Sequence, residues 1–162
     1  MSSQLLDIQS SPTQISNDNT EQTIYGYTVN GGSTNSARIL RVILVGKIST
    51  KTLAPGSFTL KFKFGAIEVT VISETPLLGL TDKNFMIVLD CWLIPGTTDF
   101  VLIDGSFTQD GSSIFSPAGQ RFNVNSGNVN FGINNTIGIS VQFSVANAQN
   151  IFERTMLSLW EV

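Results

Sequence analysis

Ser57-Phe58-Thr59-Leu60-Lys61-Phe62-Lys63-Phe64-Gly65-Ala66-Ile67-Glu68-Val69-Thr70-Val71 places an apolar side chain at every second position on either side of one glycine. Successive side chains of a β-strand point to opposite faces, so this period of two describes strands with one dry and one wet side. Phe58, Leu60, Phe62 and Phe64 face inward, and Lys61 and Lys63 face water. The alternation resumes with Ile67, Val69 and Val71 against Glu68 and Thr70, which predicts a hairpin closed around Phe64-Gly65-Ala66. The same rhythm recurs from Ile137 to Val145, with Gly138, Ser140, Gln142 and Ser144 on the wet side.

Two further segments are apolar at odd and even positions alike. Ile39 to Ile48 and Phe85 to Ile94 read as central strands, covered on both sides within the fold or packed against another subunit. Weaker strand signals cover Gln22 to Val29, Phe100 to Phe107, Thr155 to Val162 and Leu5 to Ile8. About eight strands result, with no helical period longer than a turn or two. The expectation is an all-β, antiparallel β-sandwich of the jelly-roll or a related Greek-key kind. Residues 22–162 form its single domain, and residues 1–21 read as either a mobile arm or an edge strand, anchored by Leu5, Leu6 and Ile8. Between Asp104 and Asn135 repeated glycines predict loops with short strands, and Asp104-Gly105 and Asp110-Gly111 read as turns. Phe107, Phe115, Phe122 and Phe131 lie in that region and require burial under the sandwich end or in a neighbour. The candidate partner contacts are therefore Leu5, Leu6, Ile8, Phe115, Phe122 and Phe131.

Composition narrows the function classes. Among the 162 residues there is no histidine and one cysteine, and charged residues make up 13%. The usual general base and the commonest metal ligand are thus missing. Neither Gly-x-Ser-x-Gly nor Ser-x-x-Lys occurs, and no glycine cluster precedes the Lys-Ser/Thr pair of a phosphate loop. Cys91 sits in the apolar run Val88 to Leu93, where a buried thiol is the expected role. Asn17-Asp18-Asn19-Thr20-Glu21 lacks the glycine and distal glutamate of a calcium loop. Tyr25, Tyr27, Trp92 and Trp160 are assigned to core packing ahead of sugar stacking. The expected protein is not an enzyme and holds no cofactor or metal.

Partners are narrowed in the same way. A net charge of −3 with dispersed Lys and Arg argues against nucleic acid. No run reaches the roughly 18–20 apolar residues of a membrane helix, and the N-terminus does not read as a signal peptide, so a protein made in a cytosol is expected.

From Asn19 onward the order of motifs resembles a known module. Asn19-Thr20-Glu21-Gln22-Thr23-Ile24-Tyr25-Gly26-Tyr27-Thr28-Val29 leads into the polar turn Asn30-Gly31-Gly32. Leu40-Arg41-Val42, Thr59 to Gly65, Ile139 to Ser144 and Leu157 to Val162 follow in sequence. This series, spanning most of residues 17–162, resembles the small jelly-roll module of tailed-phage virion proteins of the head decoration, head-fibre and tail-appendage types. The resemblance implies a virion structural protein at the capsid surface, a bacteriophage decoration (cement) protein forming a homotrimer on the major capsid protein or other virion proteins. The alternative it leaves is a receptor- or glycan-binding module of a fibre or tail appendage, facing a host surface glycan. It implies no active-site residues.

Overall fold

The computed structural model describes residues 3–109, 114 and 121–162, and in these the chain is all β. Eleven strands run in order: β1 (Gln4–Gln9), β2 (Thr13–Ser16), β3 (Gln22–Val29), β4 (Arg38–Ser49), β5 (Phe58–Phe64), β6 (Ile67–Glu74), β7 (Lys83–Ile94), β8 (Phe100–Gln109), β9 (Arg121–Asn128), β10 (Asn135–Phe143) and β11 (Ile151–Glu161). They form two antiparallel sheets. One is four-stranded, in the order β3-β10-β5-β6. The other is seven-stranded, in the order β1-β11-β4-β7-β8-β9, with β2 also paired to β11. The chain crosses between sheets at β2–β3, β3–β4, β4–β5, β6–β7, β9–β10 and β10–β11, which is the wiring of a jelly-roll sandwich. The strands not read from the sequence are β9 and β2, which Ser10-Ser11-Pro12 separates from β1. Proline has no N–H to give a ladder.

The β5–β6 hairpin forms where the alternation placed it. Phe64 pairs with Ile67 across Gly65-Ala66, and Gly65 takes a left-handed φ of 56°, a conformation that a Cβ would penalise. Its inward residues meet those of β4, β7, β10 and β11 in one core, in which Phe58, Phe62, Phe64, Phe143, Phe152, Leu44 and Leu89 are fully buried. A chain of rings runs through it: Phe143 to Phe58 at 5.2 Å, Phe58 to Phe152 at 5.7 Å, Phe152 to Phe85 at 5.7 Å and Phe85 to Phe107 at 5.9 Å. Such ring pairs stabilise beyond the area they bury.

Two sequence readings need correction. Asp104-Gly105 is not a turn: both residues lie within β8, opposite Asp90 and Leu89 of β7. Gly105 is required there by a close approach, since a Cβ would sit 2.5 Å from Leu89 Cδ2 and 3.0 Å from the Val88 carbonyl oxygen. Within the region expected to be loops, Asp104 to Gln109 belong to β8 and Arg121–Asn128 forms β9, which pairs with it. Asp110-Gly111 lies outside the described residues.

The first 21 residues contribute two short strands at one edge. β1 pairs with the Leu157–Glu161 half of β11, and β2 pairs with its Ile151–Arg154 half. Arg154, buried, ties this edge to the body. Its guanidinium donates to the Ile24 carbonyl at 2.7 Å, the Ser11 carbonyl at 3.0 Å and Thr13 Oγ1 at 2.8 Å.

Candidate interaction surface

The outward face of the seven-stranded sheet follows from register. On β4 the even-numbered residues Leu40, Val42, Leu44 and Ile48 are buried in the core, so Ile39, Arg41, Ile43, Val45 and Lys47 point away from it. Cross-strand pairing extends each into a row. Leu5, Trp160, Arg41, Asp90 and Asp104 form one, and Ile8, Ser158, Ile43, Val88 and Ser106 form the next. Flanking these are Ile39-Trp92-Leu102 on one side and Met156-Val45-Met86-Thr108 on the other. Of ten exposed large apolar side chains among the described residues, six lie on this face: Leu5, Ile8, Met86, Trp92, Ile94 and Leu102. Leu53, Leu77, Leu78 and Ile133 are in loops at the ends.

Charge on this face is sparse and paired. Arg41 grips Asp90 with a two-pronged fork, Nε to Oδ1 at 2.7 Å and Nη2 to Oδ2 at 2.8 Å. That hydrogen-bonded carboxylate raises the Arg41 guanidinium further above its already high ordinary value. Lys47 and Glu153 stand opposite each other in register, and Asp104 lies beside Asp90.

The four-stranded sheet presents the reverse. Between β5, β6 and β10 its outward residues include Thr59, Lys61, Lys63, Glu68, Thr70, Ser140 and Gln142. Glu21 accepts from Lys61 at 2.7 Å, Ser140 Oγ at 2.7 Å and Lys63 at 3.2 Å, while Glu68 pairs with both lysines at 2.9 Å. These donors, Lys61 first, lower the Glu21 carboxyl from 4.5 to about 2.

The residues singled out from the sequence separate into different surroundings. Leu5 and Ile8 both reach the outward apolar face, although one is odd and one even, because a bulge between Leu5 and Asp7 shifts the register of β1. Leu6 turns inward and packs half-buried on the core. Phe131 is buried too, edge-on to Phe64 at 6.3 Å. The backbone of Phe122 pairs with Gly105. Its side chain and all of Phe115 lie outside the described residues. Tyr25 is in the core and donates its hydroxyl to Asp7 Oδ2 at 3.1 Å; burial first, then the Asp7 charge, pushes the phenol well up. Tyr27 packs half-buried against the same core.

Neither tryptophan occupies the core position expected of it. Trp92 is 41% exposed on the outward face, and Trp160, partly buried there, donates its indole N–H to Ser158 Oγ at 2.9 Å. The sequence signal for this face was the double apolar parity of Ile39–Ile48 and Phe85–Ile94, one reading of which was packing against another subunit. What it lacked was any sign of how far the apolar rows continue onto β1, β8 and β11.

Cys91, between Asp90 and Trp92, points inward and is fully buried. Burial, followed by the Asp90 charge, pushes its thiol well above the ordinary range. Among the described residues no three His, Cys, Asp or Glu side chains cluster as metal ligands.

No known protein family matches the sequence. No curated protein matches it either. Similar solved structures include the CBM2 module of the evolved Dit of Lactobacillus casei BL23 phage J-1, at 12% identity and a TM-score of 0.35 over 84% of this chain and 67% of that one. Another is a structure of infectious bursal disease virus, Gx strain, at 12% identity and a TM-score of 0.28 over 99% of this chain and 40% of that one. At these values neither likeness bears on function.

Proposed function

We propose that the chain is a structural module of a virus particle, a decoration protein that binds the assembled phage head and strengthens it by surface contact, without catalysis. The observation that carries this reading is the outward face of the seven-stranded sheet, which carries apolar side chains on five neighbouring strands and few charges, two of them joined as Arg41–Asp90. Interface centres have this character, because each charge stripped of water there is costly. The resemblance of residues 17–162 to tailed-phage virion modules supports the choice of particle, and the buried Cys91 and absent histidine agree with a non-catalytic role. A specific observation favours a second reading, a receptor- or glycan-binding module of a fibre or tail appendage: the Trp92 ring is open to solvent, and a flat ring stacks on the apolar side of a pyranose. Binding of the purified protein to undecorated phage heads and to host cells, measured side by side, separates them. Saturable binding to heads supports the decoration role. Binding to cells but not heads, weakened at least about tenfold by Trp92→Ala, overturns it.

A further inference from the structure

We infer that the outward face of the seven-stranded sheet is covered by a second copy of this same chain. A sheet with one face in water carries polar residues on that side, as β5 does with Thr59, Lys61 and Lys63. β4 and β7 are different: Ile39, Ile43, Val45, Met86, Val88, Trp92 and Ile94 occupy most of their outward positions, with Arg41, Lys47, Asn84 and Asp90 between them.

Size comes next. The field crosses five strands, β1, β11, β4, β7 and β8, roughly 19 Å between the outer axes at about 4.8 Å per spacing, and runs roughly 26 Å from Met86 to Ile94. Adding side-chain breadth at its borders brings it near the ~800 Å² that each partner of a standard stable interface contributes.

The charge pattern selects the occupant. Arg41 is joined to Asp90, Lys47 stands opposite Glu153 in register, and Asp104 lies beside Asp90, so among the described side chains both signs share the face. A foreign partner steered by charge calls for a field of one sign. A face whose opposite charges alternate is complementary to itself, so each copy meets the other's carboxylates with its own guanidinium and ammonium groups. The Arg41–Asp90 fork is held in place by two short bonds before contact, which reduces the ordering cost on association.

This inference rests on the same face as the proposed function and takes it for the contact between copies, which leaves the head to the other surfaces of the assembly: a protein that fails to bind phage heads leaves the inference standing, and a monomer that binds heads through this face overturns it while leaving the virion role in place. Sedimentation of the full chain at micromolar concentration should give a closed multiple of 17.5 kDa. Trp92→Lys and Leu102→Lys, opposite each other on exposed positions, should raise the dissociation constant at least about a hundredfold. Thr70→Lys, on the outward face of the other sheet, should leave it unchanged. The native protein offers a second readout, because its two tryptophans both lie on this face. Their quenching by iodide should rise several-fold on dilution through the dissociation range. A wild-type monomer at tens of micromolar with quenching independent of concentration overturns the inference, as does an assembly that both lysine variants retain. So does a monomer whose tryptophans are protected only by phage heads or by a glycan, which would assign the face to a foreign partner.

Discussion

The two outward faces of this sandwich are built from strands of the same kind and have opposite character. On the four-stranded sheet, Lys61, Lys63, Glu21 and Glu68 form a ring of ion pairs among threonines and serines. On the seven-stranded sheet the Arg41–Asp90 pair, Lys47, Glu153 and Asp104 are dispersed among Leu, Ile, Val, Met and Trp. Both sheets turn their other faces into one shared core, so the difference owes nothing to it. Alternation specifies the core, and departure from alternation on β4 and β7 specifies an apolar surface that folding of the single chain leaves uncovered.

The largest effect that can test this contrast comes from neighbours on one strand. Leu89 and Val88 are adjacent on β7, one fully buried and the other half-exposed on the outward face. Leu89→Lys should bury an unpaired charge and cost more than about 4 kcal/mol, leaving little folded protein by circular dichroism at 25 °C. Val88→Lys should keep its thermal unfolding midpoint within a few degrees when measured on the dissociated chain. Equal loss of folding in both variants would mean that the outward face belongs to the core of the single chain.

Cys91 sharpens the comparison next. It lies between outward Asp90 and Trp92 yet faces inward, and alkylation requires an accessible thiolate. Native protein should react at least about a hundredfold more slowly than unfolded protein, while Trp92 on the same strand stays open to iodide in the dissociated chain. Labelling at the rate of a free thiol would reverse the facing of β7.

The smallest expected effect is acid sensitivity of the polar face. Because the folded state lowers Glu21 to about 2 from 4.5, the stability it contributes is fully present above pH 4.5, declines as pH falls, and is gone below about 2. Glu68, lowered by the same lysines, acts in the same direction, and both lysines stay charged throughout that window. Thermal unfolding followed from pH 6 to pH 2 should show a shallower decline for Glu21→Gln than for the wild type, with the difference shrinking in high salt. A Glu21→Gln profile that falls as steeply as the wild type would show that the ring contributes nothing.

The strands of strict period two, β5, β6 and β10, were legible, as was the turn at Gly65, although β6 runs on to Glu74 and β10 stops at Phe143, short of Val145. The signals that failed were those with two physical meanings. Gly105 after Asp104 reads as a bend, but a glycine is equally what allows Leu89 and the Val88 backbone to come close across a ladder, and one chain read in order cannot distinguish these. Leu5, Leu6 and Ile8 read as one anchor cluster. The bulge in β1 divides them, Leu6 toward the core and the other two away from it.

Local alternation was enough to determine an all-β sandwich, because a side chain's facing within a strand depends on its own position and that of its neighbours in the chain. Which apolar residues gather into one field was decided by tertiary structure alone. Trp92, Trp160, Leu5 and Leu102 lie far apart in the chain, and only the order β1-β11-β4-β7-β8 and its register set them in neighbouring rows. Strand order follows from how two sheets share a core, a long-range choice that no short window of sequence records.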